Sequence, residues 1–148
     1  MTPMPNIGQM LSAQARLQPA RIGARDLDRE MSFALWNARA CRLANALLGL
    51  GLSKGERVGV LAWNRVEWLE IYAAAAKAGL VAVPVNFRLV TPEIRFILQD
   101  CAVSAVIAAP ALHDSHHAIC PDNCVPADRL VHPGGTGRAP GRAAKGAL

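Results

Sequence analysis

The run from Leu50 to Pro84 leaves this chain few ways to fold. Arg57 to Ala62 is a short apolar stretch with two valines, bounded by Lys54-Gly55 before it and Trp63-Asn64 after it. That is the pattern of a strand buried on both faces. Arg65 to Ala78 contains no Gly or Pro and carries four consecutive alanines, so its helix propensity is high. Gly79 stands where a left-handed residue closes a helix. Leu80 to Val83 is again short and apolar, and Pro84 ends its ladder. Two buried strands joined by a helix pair in parallel through a right-handed crossover.

The same residues resemble a known family. Gly51-Leu52-x-Lys54-Gly55-Glu56-Arg57-Val58, Asn64-x-x-Glu67, and Ala75-x-Lys77-Ala78-Gly79-x-Val81-x-Val83-Pro84 follow in order. Asn86-Phe87-Arg88-Leu89 and Thr91-Pro92-Glu93 continue the series, and Met31-Ser32-Phe33 precedes it. Together they are similar to the N-terminal region of the adenylate-forming (AMP-binding) enzymes, the acyl-CoA synthetases and long-chain fatty acid–CoA ligases among them. The likeness runs over roughly residues 6 to 109. It implies the first part of an AMP-dependent synthetase/ligase domain over residues 1–109, from a ligase that joins a carboxylate to coenzyme A through an acyl-adenylate.

Taken in order, Asn6 is placed to cap a first helix on which Ile7, Met10, Leu11 and Leu17 share a face. Arg21–Arg25 and Arg29–Phe33 suit a hairpin around Asp26-Leu27-Asp28. Ser32 caps a second helix with an apolar stripe of Trp36, Ala40, Leu43, Ala44 and Leu47. Its Asn37, Arg39, Arg42 and Asn45 are expected to face water, and Trp36 is expected to anchor the core. Thr91 reads as the cap of a third helix after the crossover, with Pro92 in its first turn and Ile94, Ile97 and Leu98 buried. Ala102–Ala109 reads as a third strand. The sum is an α/β architecture, a partial parallel sheet with flanking helices. Its strands are apolar on both faces, so an uncovered sheet face and an open edge are expected in a chain of this length.

Composition changes at Pro110. All seven aromatic residues lie between Phe33 and Phe96, while the 39 residues from 110 to 148 contain five Pro and five Gly. Too little periodic apolar surface remains there to offset chain entropy, so residues 110–148 are expected to form a disordered, unassigned tail. The net charge of +5 comes from 13 Arg and 3 Lys scattered singly among acids, and nucleic acid is not an expected partner. No apolar run reaches the ~20 residues of a membrane span, and no signal peptide is legible. A soluble cytoplasmic protein is expected, with Cys41 and Cys101 as small core residues.

The family resemblance implies ATP, Mg²⁺ and coenzyme A as cofactors and a small-molecule carboxylate as substrate. It also implies a Ser/Thr/Gly-rich phosphate loop ending in Pro-Lys-Gly, later Tyr-Gly-x-Thr-Glu and Thr-Gly-Asp segments, and a late catalytic lysine. None of these is found in the chain. The nearest approach is Gly134-Gly135-Thr136-Gly137-Arg138-Ala139-Pro140, which lacks paired threonines and is followed by Gly141 instead of lysine. No catalytic residue is assigned, no cofactor is expected to bind the fragment, and the fragment is expected to be inactive alone. Arg88 is the one candidate binding residue, as a contact to the thiol cofactor or to a C-terminal domain; the plainer reading is a surface arginine in a connection. His113, His116, His117, Cys120, Cys124 and His132 include enough zinc-type ligands to raise a metal site, but no second paired set follows Cys120 and Cys124, and incidental composition is the favoured reading. Glu67, Glu70 and Glu93 read as helix-surface carboxylates, with no partner pair suggesting acid/base work. The rival reading is a stand-alone interaction or regulatory module built on the same layer.

Overall fold

A run of buried valines and alanines cannot sit at a surface, and here it forms the centre of a parallel sheet. The computed structural model describes residues 5–27, 29–109, 112 and 130–131. Strands β3 (Arg57–Leu61), β4 (Val81–Pro84) and β5 (Val103–Ala108) pair in the order β4-β3-β5. A two-residue strand β6 (Leu130–Val131) adds beside β5, also in parallel. Helix α3 (Glu67–Ala78) carries the chain from β3 to β4, as the sequence predicts. Helix α4 (Thr91–Asp100) then takes it from β4 past β3 to β5.

Pro84 is the last residue of β4, in register opposite Val60, and ends the strand as the sequence predicts. Val81 and Val85 donate to the Glu56 and Val60 carbonyls at 2.9 Å, so the alternation of donors points the imide nitrogen of Pro84 at the open edge. An edge strand loses no ladder bond there.

The sheet has helices on both faces. Val58, Val60, Ala105 and Ile107 pack with Leu47 of α2 (Phe33–Gly49) and with Ile71 and Ala75 of α3. Leu61, Val103, Val106 and Ala108 pack with Ile94 and Leu98 of α4. A register irregularity, with Arg57 opposite Val103 and Val58 opposite Ala105, lets Val103 join the α4 side. The uncovered face expected from sequence is therefore absent among the described residues of β3 and β5. Exposed apolar groups lie elsewhere, on the β4 edge at Val81 and on the outer side of α4 at Phe96.

Local chemistry sets several boundaries. Asn6 Oδ1 accepts the Gln9 N–H at 2.9 Å and Gln9 Oε1 accepts the Asn6 N–H at 2.9 Å, a reciprocal cap for α1 (Ile7–Leu17). Ser32 Oγ accepts the Leu35 N–H at 3.2 Å and starts α2. Gly79 closes α3 at φ 71°, in the left-handed region. At α4 the expectation is corrected: Val90 is the cap residue, Thr91 is the first helical residue, and the Glu93 carboxylate accepts the Val90 N–H at 3.1 Å.

The predicted hairpin is present as β1 (Ile22–Arg25) and β2 (Glu30–Ser32), antiparallel with a bulge between Ile22 and Ala24. Asp28, in its turn, lies outside the described residues. The face predicted for α1 is corrected, since Ile7, Met10 and Leu17 are exposed and only Gly8 and Leu11 are buried. Close approach explains this, because a Cβ on Gly8 would stand 3.0 Å from the Lys77 backbone nitrogen. The helix docks through its smallest residue, and Lys77 Nζ donates to Ser12 Oγ at 2.5 Å. Trp36 anchors α2 as expected, stacked on Phe33 and donating from Nε1 to the Leu69 carbonyl at 3.0 Å. Cys41 and Cys101 are free thiols and only half-buried. Of the expected tail, only Leu112 and the Leu130–Val131 backbone fall among the described residues, and Leu112 packs against both sheet clusters.

Candidate functional site

Parallel sheets leave a crevice beyond the carboxyl ends of their strands, where loops diverge. Here an open cleft of about 970 Å³ lies at that end of β3 and β4. Asn64, Arg65 and Val66 line it from the loop after β3, and Asn86, Phe87 and Arg88 from the loop after β4. The hairpin contributes Arg25 and Asp26, and α3 contributes Trp68, Leu69 and Tyr72.

Aromatic rings stiffen the cleft. Trp63 meets Phe87 edge to face at 6.2 Å, and Trp68 lies 5.6 Å from Tyr72. Trp68 Nε1 donates to the Trp63 carbonyl at 2.8 Å, tying the loop to the first turn of α3. The Arg65 guanidinium sits 5.6 Å over the Trp63 ring and that of Arg88 5.7 Å over the Phe87 ring. Asn86 Oδ1 accepts the Arg88 N–H at 3.0 Å, and the Asn86 carbonyl accepts the Leu89 N–H at 3.2 Å. This turn places exposed Arg88 at the mouth of the cleft.

The charge balance is lopsided. Arg25, Arg65 and Arg88 face a single lining carboxylate, Asp26. Asp26 is already engaged: it accepts the Leu27 N–H at 2.7 Å, Arg29 Nη2 at 3.2 Å and the Val66 N–H at 3.4 Å. The Leu27 N–H above all, then Arg29, holds its carboxyl below the ordinary value of 3.8. Arg25 reaches Glu30 at 2.5 Å, but both side chains are well exposed. A cleft of exposed guanidiniums and aromatic faces suits an anion with a flat or apolar body.

The carboxylates of α3 are where sequence reasoning went astray. Glu67 and Glu70 are buried, at 9% and 7% exposure, and both are paired. Arg29 grips Glu67 with two parallel bonds, Nη1 to Oε1 at 2.7 Å and Nη2 to Oε2 at 2.9 Å. Arg39 Nε donates to Glu70 Oε1 at 2.6 Å, so Arg39 is not simply a solvent-facing residue. The Arg29 bonds hold the Glu67 carboxyl below its ordinary value of 4.5, against the opposing effect of burial. The charge pattern of α3 alone contains no signal for these partners, which lie 38 and 31 residues away in the chain.

Of the residues singled out in the sequence, Arg88 reaches the cleft and Glu93 instead serves the start of α4. Gly134–Pro140, and the set His113, His116, His117, Cys120, Cys124 and His132, lie outside the described residues. Among the described residues, no three His, Cys, Asp or Glu side chains converge to hold a metal ion. No described helix is long and apolar enough to cross a membrane.

A model of the family described as AMP-binding enzyme matches residues 11–138, most of the chain, and the chain belongs to that family. The match extends past residue 109, beyond the segment in which the sequence motifs are legible. Among curated relatives, a long-chain-fatty-acid–CoA ligase, FadD13, of Mycobacterium tuberculosis is 45% identical over 107 residues, 70% of this chain and 21% of that protein. A feruloyl-CoA synthase of an Amycolatopsis species is 36% identical over 104 residues, again 70% of this chain and 21% of the relative. The chain thus spans about a fifth of the length of the curated relatives it matches. Among solved structures, the inhibitor-bound N-terminal domain of FACL13 from Mycobacterium tuberculosis superposes with a TM-score of 0.78 at 36% identity, covering 87% of this chain and 33% of that one. The anthranilate CoA ligase AuaEII, in complex with anthranoyl-AMP, gives 0.72 at 30% identity over 78% of this chain and 22% of its own.

Proposed function

We propose that this chain is the N-terminal part of an acid–thiol ligase that joins a small-molecule carboxylate, of the fatty-acid class, to coenzyme A. ATP is cleaved to AMP and pyrophosphate in the overall reaction. Family membership supports the reaction class, and the relative at 45% identity, a long-chain-fatty-acid–CoA ligase, supports the acyl class. The cytoplasm as compartment, and a ligase-domain segment over residues 1–109, belong to the same proposal.

The observation that carries the local reading is the cleft. Coenzyme A would supply the thiol that accepts the acyl group, and its phosphates and flat base match the exposed guanidinium of Arg88 and the neighbouring aromatic faces. Arg88 is therefore assigned as a contact to that cofactor, which the fragment should then hold weakly by itself, against the expectation from its sequence motifs. The described residues contribute walls and charge, and no group among them is assigned to the chemical steps. Adenylate formation by this chain alone is not expected, because the phosphate-loop and lysine motifs are missing from its sequence.

Two measurements test the proposal. Carboxylate-dependent exchange of pyrophosphate into ATP, run on the 148-residue chain, should equal the blank. Reading the coding DNA on either side should reveal the phosphate loop in an open frame. Exchange above the blank would overturn the inactive-fragment reading, and flanking DNA without that loop would favour a stand-alone module.

A further inference from the structure

The first helical turn after β3 begins without a cap of its own. Val66 is the residue before α3, and no side chain of its own makes a capping bond there. The Trp68 and Leu69 N–H groups turn to the Arg65 and Val66 carbonyls at 3.1 Å, and the N–H of Val66 itself is taken from 40 residues upstream, by Asp26 Oδ2 at 3.4 Å. Next in the helix, Glu67 is gripped through both oxygens by Arg29. Arg29 Nη2 also holds Asp26 Oδ2 at 3.2 Å, and the Arg29 carbonyl accepts the Asp26 N–H at 2.8 Å. One guanidinium thus closes the hairpin turn and fastens it to the start of α3.

We infer that Arg29 is the positioning residue of the cleft, locking the hairpin tip onto Val66 and Glu67 so that Arg25, Asp26, Asn64 and Arg65 form one fixed wall. The chain geometry gives this consequence. Asp26 and Val66 line the cleft, and each is within two residues of a lining arginine. The loop after β3 is tied to α3 by Trp68 Nε1 on the Trp63 carbonyl and by the Trp68 N–H on the Arg65 carbonyl, and the latch adds the tie that sets where Asn64 and Arg65 stand against the hairpin. A planar, two-pronged contact fixes orientation as well as distance, which a lysine cannot reproduce. Asp26 stays ionised, and its bond to Arg29 reduces its repulsion of an anion in the cleft. The ligand part of this inference rests on the proposal that the cleft takes coenzyme A; the positioning part does not.

The experiment uses the 148-residue chain and its Arg29→Ala, Arg29→Lys, Glu67→Gln and Arg88→Ala variants. Amide hydrogen exchange is read residue by residue without ligand, and coenzyme A binding is read by equilibrium dialysis. In Arg29→Ala, exchange at residues 64–67 and in the hairpin should accelerate by about tenfold or more, while amides of β3 and β5 keep wild-type protection. Arg29→Lys should restore part of that protection, and Glu67→Gln should reproduce most of the loss. Coenzyme A affinity should fall about tenfold in Arg29→Ala and also in Arg88→Ala, whose latch amides stay protected. Unchanged exchange at residues 64–67 in Arg29→Ala overturns the latch, and so does a uniform rise across the sheet. Wild-type affinity in Arg29→Ala, with loss in Arg88→Ala, overturns the link between latch and ligand while leaving the cofactor reading intact. A wild-type chain that does not bind coenzyme A overturns the cofactor reading, and the ligand-free exchange data then decide the latch by themselves.

Discussion

Gly59 in β3 and Leu98 in α4 stand so close that a Cβ on Gly59 would lie 2.7 Å from Leu98 Cδ2, with Val103 Cγ1 at 3.3 Å. The glycine is what lets α4 lie flat on the sheet. Leu98 is buried at 3% exposure and has little room to turn aside. Gly59→Ala should therefore destabilise the chain by about 1–3 kcal/mol through overpacking. Urea unfolding measures it. Leu98→Ala made in the same chain should relieve part of the Gly59→Ala cost, so that the double variant is more stable than the sum of the singles. Strict additivity would show that the contact is not the cause.

Gly8 is the corresponding contact for α1. An added methyl there would meet Lys77 Cγ at 2.7 Å and the Lys77 nitrogen at 3.0 Å, and backbone atoms do not yield as a side-chain tip does. Gly8→Ala should raise the intrinsic helicity of α1 yet undock it from α3. Limited proteolysis should then cut within residues 5–17 before the sheet is attacked, whereas equal resistance in the variant would contradict the close approach.

Gly79 closes α3 at φ 71° with Lys54 Cγ 2.9 Å from where a Cβ would be. Gly79→Ala should cost about 1 kcal/mol or somewhat more, from the left-handed backbone. Gly79→Asn should cost less, because asparagine tolerates that conformation better than alanine. Thermal unfolding of the two variants, compared side by side, gives the order.

The Arg29–Glu67 pair predicts an acid limb. The folded-state value of Glu67 is depressed, so its contribution is fully present above the ordinary value of 4.5 and is lost as pH falls through the lower folded value. Stability should decline with pH below about 4.5, and Glu67→Gln should remove part of that slope. At neutral pH the same variant should cost about 1–2 kcal/mol, less than a fully buried pair because the Arg29 side chain is 47% exposed. Denaturant unfolding between pH 3 and 7 tests it, about the range of carboxylate titration. An unchanged acid slope in Glu67→Gln would assign that slope to other carboxylates.

The elements were legible in the sequence wherever a boundary depends on neighbours in the chain. Asn6 and Ser32 cap helices because an N-cap oxygen reaches an N–H three residues on. Gly79 ends α3 because only a residue without a Cβ adopts its φ freely. The parallel pairing of β3 with β4 followed from apolar runs too short for helices and from the helix between them. Of the candidate site, Arg88 alone could be picked out, since the motif around it is local. The tertiary structure decided the rest. Glu67 and Glu70 have the charge pattern of a solvated helix face, and only the approach of Arg29 and Arg39 across 38 and 31 residues makes them buried ion pairs. Which face of α1 is buried turned on Gly8, because contact between two helix backbones rewards the absence of a side chain, and hydrophobic periodicity does not register it. The cleft exists because two loops and a hairpin tip, separate in sequence, converge at one end of the sheet, and that convergence is set by packing across the chain, not by any one segment.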